Sequence, residues 1–309
     1  MRVLSLFDGI SGARQALKEL NIDCEYYASE IDKYAMQISK ANYPDIVQMG
    51  DVRNVGGSVI DVDLLIGGSP CQDLSIAGNG KGLEGKRSGL FFEYLRILNK
   101  VKPRYFVLEN VASMKAADRD IISKNLGIEP IMINSALLTA QQRKRYYWVG
   151  KLFGSKYEQV KIQQPEDKSI ILKDILESGD TEKLKSYAIT ATYNNACPRD
   201  YFLKSSRQLI FNKPVKLSEV NKGGQGNRVY SIDGKSICLS ANSGGLGAKT
   251  GLYEIKDLVR KLTVTECERL QGFPANYCSG VSKTQAYKAL GNSFTVPVIK
   301  HILSTIFKN

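Results

Sequence analysis

Val62-Asp-Leu-Leu-Ile-Gly-Gly-Ser-Pro-Cys-Gln-Asp-Leu-Ser75 opens as a short apolar run and stops on two glycines, the pattern of a buried strand that leaves its sheet at Gly67. Cys71 then falls just past the carboxyl end of that strand. Open α/β sheets build their sites in the crevice at that edge. Pro70 fixes φ and removes a donor directly before the thiol. Gly78, Gly80, Gly82 and Gly85 follow and leave the next segment conformationally loose. The stretch predicts a held thiol followed by a flexible flap.

Outward from there, the composition fits one large core or two modest ones. The chain has 309 residues, 43% hydrophobic and 24% charged, which is neither disordered nor fibrous. No apolar run approaches the roughly 20 residues that span a bilayer. Arg2-Val-Leu-Ser-Leu-Phe7 enters a strand pattern with no cleavable leader before it, so a cytoplasmic protein without membrane partners is expected. The six cysteines form no Cys-x-x-Cys pair and there is a single histidine, His301, so no metal site is expected. His301 reads as an ordinary residue of an apolar helix. A net charge of +12 favours a polyanionic partner. Between Arg199 and Lys235 eight basic residues stand against three acidic ones, a candidate surface for a phosphate backbone.

Toward the N-terminus, Asp8-Gly-Ile-Ser-Gly12 reads as the turn between a first strand and a helix with apolar residues at Ala13, Ala16, Leu17 and Leu20. Cys24-Glu-Tyr-Tyr-Ala-Ser29 reads as the second strand. Glu30 at its end is placed to accept from both hydroxyls of a ribose. Asp51, ending the next step, can accept from an adenine amino group. Three successive strand-end sites describe a nucleoside pocket.

Toward the C-terminus, 87–98 reads as an amphipathic helix and Arg104-Tyr-Phe-Val-Leu-Glu-Asn-Val111 as another buried strand. A carboxyl directly after four apolar residues costs free energy unless it is paired or used. Burial favours its protonated form, so Glu109 is a candidate proton donor. Strands at 131–133 and 146–149 flank Gln141-Gln-Arg-Lys-Arg145. Extended backbone would put 141, 143 and 145 on one face, with both guanidiniums reaching a common target. From about Lys151 to Leu258 the alternation becomes irregular, and polar residues, Asn, Gly and Lys grow common. Thr265 and Glu268 stand at capping-box spacing before an apolar helical face. Ala289-Leu-Gly-Asn-Ser-Phe-Thr-Val-Pro-Val298 opens a last helix with Ile299, Ile302, Leu303 and Ile306 on its apolar side.

These phrases, in this order, resemble the motifs of the cytosine-C5 DNA methyltransferases, of the compact phage and bacterial type. Gly-Ser-Pro-Cys71-Gln-Asp-Leu-Ser is similar to the family's catalytic-cysteine motif. Glu109-Asn-Val111 and Gln141-x-Arg143-x-Arg145 look like the next two. Lys261 to Pro274 resembles the penultimate motif, and Gly291-Asn-Ser-x-x-Val-Pro297 the final one. The resemblance implies a doubly wound Rossmann-like α/β fold with S-adenosylmethionine as cofactor and duplex DNA as partner. It implies a catalytic set of Cys71, Glu109, Arg143 and Arg145. The implied cofactor site comprises Phe7, Asp8, Gly9, Ile10, Gly12, Glu30, Ile31, Asp51, Val52, Pro70, Asn292 and Ser293. It further implies a catalytic domain over 1–155, a smaller target-recognition domain over 156–281, and a return to the first domain over 282–309, with a monomer acting on DNA. In that family the thiolate adds to C6 of a flipped-out cytosine, making C5 nucleophilic. A tRNA cytosine-C5 methyltransferase and a catalytically silent DNA-binding homologue are the alternatives. The Cys-Phe-Thr tripeptide of the transfer-RNA branch is absent.

Overall fold

The computed structural model describes residues 1–56, 61–69, 90–181, 183–197, 200–201, 204–211, 215–219, 228–231, 252–254 and 259–307. Pro70, Cys71 and the glycines after them lie outside the described residues. The chain begins as β1 (Arg2–Leu6), α1 (Gly12–Glu19), β2 (Glu25–Ser29), α2 (Lys33–Asn42), β3 (Val47–Gln48) and β4 (Leu64–Gly68). It continues as α3 (Leu90–Val101), β5 (Tyr105–Val111), α4 (Ala116–Leu126), β6 (Ile131–Asn134), β7 (Lys144–Phe153) and β8 (Lys156–Gln159).

Along one sheet the order is β3-β2-β1-β4-β5-β7-β6, with β8 on the outside of β7. Neighbours from β3 to β5 are parallel. β7 is inserted antiparallel between β5 and β6. The strand order reverses between β1 and β4, and the crevice of a doubly wound sheet opens at such a switch point.

Alternation of side chains along each strand sends the apolar residues to two separate cores. Val3, Leu64, Ile66, Tyr105 and Val107 join one cluster, packed under α1, α2 and the helix Val296–Phe307. Leu4, Leu6, Leu65, Phe106 and Leu108 join the other, under α3 and α4. Helices therefore cover both faces, which explains why the strands read as continuous apolar runs. Each buried Leu or Ile contributes roughly 1.5–3 kcal/mol. Gly150 stands opposite Phe106 in the β5–β7 register, and a Cβ there would come within 2.3 Å of the Phe106 ring.

Two local expectations change. The capping box at the start of the helix Val264–Gln271 is formed by Thr263 and Glu266, two residues earlier than the Thr265/Glu268 pair. Thr263 Oγ1 accepts from Glu266 N at 3.1 Å and Glu266 Oε2 from Thr263 N at 2.8 Å. Glu268 is buried and accepts from the amides of Asn276 and Cys278. The final motif does not lie within one helix. Residues 289–292 finish the helix Lys283–Asn292, and only Val296–Phe307 forms the last one, with Ile299, Ile302, Leu303 and Ile306 buried.

Within the irregular region the described residues include a three-stranded sheet of Val215–Glu219, Arg228–Ser231 and Leu252–Glu254. A two-stranded antiparallel pair joins Leu209–Phe211 to Val259–Lys261. Two of its basic residues are already engaged: Arg207 and Lys204 contact the Asp200 carboxylate at 2.8 and 3.3 Å. His301 stands on the last helix with Nε2 2.8 Å from Gln163 O.

Candidate active site

At the carboxyl end of β1 the backbone makes a tight loop, with Phe7, Gly9 and Ser11 at φ of 56°, 61° and 61°. Holding a non-glycine residue there costs roughly 1–3 kcal/mol, so the surroundings must impose it. Asp8 supplies part of that brace. Its buried carboxylate accepts from Ser11 Oγ at 2.6 Å and Tyr26 Oη at 2.7 Å. Burial pushes the Asp8 carboxyl up, against these hydrogen bonds. Gly9 turns its amide outward, onto Glu30 Oε2 at 2.8 Å. The other Glu30 oxygen accepts from the amides of Ile31 and Asp32, each at 2.8 Å.

The next strand end brings Asp51. Its carboxylate caps a single helical turn through Arg53 N and is gripped by the Arg53 guanidinium. That contact holds the Asp51 carboxyl at about 2. At the end of β4, Gly68 pairs with Glu109 of β5 in register. A Cβ on Gly68 would lie 2.9 Å from Glu109 Oε2, so only glycine leaves the carboxyl its place. Arg145 on β7 reaches back across the sheet, and its Nε lies 2.8 Å from Glu109 Oε1 with both side chains mostly buried. Glu109 is thus a paired carboxylate. Asn110 is buried beside it; its amide donates to Ser69 Oγ at 3.0 Å and fixes the point where the chain enters 70–89.

These pieces enclose one cavity of about 380 Å³. Of the sequence-predicted residues, Phe7, Gly9, Glu30, Ile31, Asp51, Val52, Glu109, Arg143, Arg145 and Asn292 line it. Asp8, Ile10, Gly12 and Ser293 are buried outside that lining. The Ser293 hydroxyl is spent on Leu290 O at 2.9 Å. Gly68, Ser69 and Leu90 also line the cavity; Gly68 and Ser69 belong to the cysteine motif, whereas Leu90 was read only as part of an amphipathic helix.

Arg145 pairs with Glu109, while Arg143 donates to main-chain carbonyls at Ile189, Gly291 and Ser293. Gln141 is also buried, with its amide on Leu270 O and Gln271. Among the described residues no thiol lines the cavity. Burial pushes Cys267 and Cys278 up and leaves them unreactive.

A family model described as C-5 cytosine-specific DNA methylase matches residues 1–308. The chain belongs to the C-5 cytosine-specific DNA methylase family. The methyltransferase is 32% identical to the Type II methyltransferase M.HhaI of Haemophilus parahaemolyticus, over 99% of this chain and 94% of that one. It is 30% identical to the Type II methyltransferase M.Bsp6I of a Bacillus species, over 100% of this chain and 99% of that one. Among solved structures, the Entamoeba histolytica methyltransferase EhMeth superposes with a TM-score of 0.68 at 17% identity, over 100% of this chain and 98% of that one. The S. pombe Dnmt2 methyltransferase gives 0.63 at 19% identity, over 100% and 98%. The methyltransferase therefore carries the Rossmann-like fold of these enzymes. Among the described residues there is no helix long and apolar enough to cross a membrane and no cluster able to hold a metal ion.

Proposed function

We propose that the enzyme transfers the methyl group of S-adenosylmethionine to C5 of a cytosine flipped out of duplex DNA, through a covalent bond from Cys71 to C6. The observation that carries this reading is the cavity in which the ends of β1, β2 and β3 meet the Glu109–Arg145 pair. The residues at those three strand ends suit the cofactor. Glu30 is fixed by three backbone amides, and a carboxylate has about four lone-pair sites, which leaves capacity for a ribose hydroxyl. Ile31 is 71% exposed at the lip, an apolar surface waiting for a ring. Phe7, Asp51, Val52 and Asn292 complete that wall.

Bound S-adenosylmethionine supplies an electrophilic methyl group. The chain's own residues prepare the base. C5 of cytosine is too electron-poor to attack unaided, so the Cys71 thiolate adds at C6 while Glu109 holds N3. Arg145 pairs with Glu109, and in this reading it also holds the base carbonyl. Loss of the C5 proton afterwards frees the thiolate. A stacked base hides both faces, which is why flipping must come first. Residues 156–281 form the smaller lobe that reads the DNA sequence, and one copy acts per site.

A duplex carrying 5-fluorocytosine tests this, because C5 then has no proton to lose and the thiolate stays attached. The expected result is a complex that survives denaturing electrophoresis with S-adenosylmethionine present and is missing in Cys71→Ser. A trapped transfer RNA with an untrapped duplex would point to the RNA enzyme instead, and no trapped species to a silent homologue.

A further inference from the structure

Arg143, which the family resemblance puts in the catalytic set, makes three hydrogen bonds to main-chain carbonyls. Its buried guanidinium donates from Nη1 to Ile189 O at 3.0 Å and from Nη2 to Gly291 O at 3.2 Å and Ser293 O at 3.0 Å. Gln141, two residues before it, works on the same segments. Its Oε1 accepts from Ile189 N at 2.8 Å, and its Nε2 donates to Gln271 Oε1 at 3.3 Å. Gln271 donates on to Leu290 O at 2.7 Å and accepts from Thr295 Oγ1 at 2.9 Å. The main chain at 190–191 rests directly on Gly291, where a Cβ would lie 2.3 Å from Thr190 C and 2.4 Å from Ala191 N. A rigid, permanently charged fork can hold several carbonyls at fixed positions, whereas a lysine ammonium is one mobile point charge. Asn292, between the two carbonyls that Arg143 grips on that strand of chain, lines the cavity.

We infer that Arg143 is a positioning residue: through the carbonyls of Gly291 and Ser293 it sets Asn292 in the cofactor wall and ties that wall to residues 189–191. Cofactor binding and the placement of 189–191 are thereby coupled. This rests on reading the cavity as the S-adenosylmethionine site.

Calorimetric titration of the full chain with S-adenosylmethionine, without DNA, tests it on wild type, Arg143→Lys, Asn292→Ala and the double variant. Loss of charge-assisted hydrogen bonds should weaken binding in Arg143→Lys by about tenfold or more. The double variant should bind within about twofold of the weaker single variant, because one effect runs through the other. At saturating cofactor, the loss of kcat in Arg143→Lys should be smaller than its loss of cofactor affinity. Unchanged affinity with a collapsed kcat, or additive losses of affinity, would overturn the inference. A wild-type chain that binds no cofactor overturns the cavity reading, and this inference with it. If Arg143→Lys does not fold, amide hydrogen exchange on the wild type decides: cofactor should slow Thr190 and Ala191 together with 291–293, and exchange at 190–191 that ignores the cofactor would refute the coupling.

Discussion

Gly67 and Gly68 follow one another at the end of β4, yet adding a methyl group should do different things at each. A Cβ at Gly67 would meet main chain, 2.8 Å from Leu6 O on the neighbouring strand. Gly67→Ala should therefore cost about 1–3 kcal/mol of stability, read by urea denaturation. At Gly68 the obstacle is the Glu109 carboxyl together with the Phe294 ring, both able to shift. Gly68→Ala should fold with a smaller loss and reduce methyl transfer about 10- to 100-fold by displacing Glu109. Equal losses of activity at the two positions would contradict this. Asp51 carries a pH prediction. Its folded-state value, about 2, lies below the ordinary carboxylate range, so its contribution to stability is present above that range and is lost as pH falls toward 2. An NMR titration should place the Asp51 inflection near 2 and move it up in Arg53→Ala; an unmoved inflection would remove Arg53 as the cause. The carboxylates at 30, 51 and 109 were legible because each stands at the end of a strand pattern. The partners of Glu109 and Arg143 were not, since they come from the antiparallel placement of β7 and from segments up to 150 positions away.

The start of the helix Val264–Gln271 shows what sequence spacing leaves open at the level of one element. Thr263/Glu266 and Thr265/Glu268 satisfy the same pattern, and local chemistry does not choose between them. Tertiary partners do. Glu266 is fully buried, receives the Arg260 guanidinium at 2.8 Å and the Glu177 amide at 2.8 Å, and can serve only as the cap. Thr263→Ala should cost about 1 kcal/mol, the usual worth of an N-cap. Glu266→Ala should cost roughly 3–5 kcal/mol, since it strands a mostly buried cation along with two amides. Denaturant midpoints at constant slope separate the two; comparable losses would mean that Arg260 finds another partner. The strands themselves were legible within a few residues. Burial on both faces makes them apolar throughout, and that signal needs no partner.

At the scale of the molecule, the sheet order 3-2-1-4-5-7-6 brings five strand ends and the returning C-terminal segment around one cavity. The doubly wound class was implied by the family resemblance, whereas the insertion of β7 between β5 and β6 could not be read, because register between distant strands leaves no local trace. That insertion is what brings Arg145 to Glu109. The proposed chemistry needs this pair, the cofactor wall and Cys71 to act on one base. Bisulfite sequencing of unmethylated duplex DNA, after incubation with the purified protein and S-adenosylmethionine, tests that most directly. The account predicts protected cytosines in one recurring sequence context with the wild type and complete conversion with Cys71→Ser. Complete conversion with the wild type, or protection that survives Cys71→Ser, would contradict it.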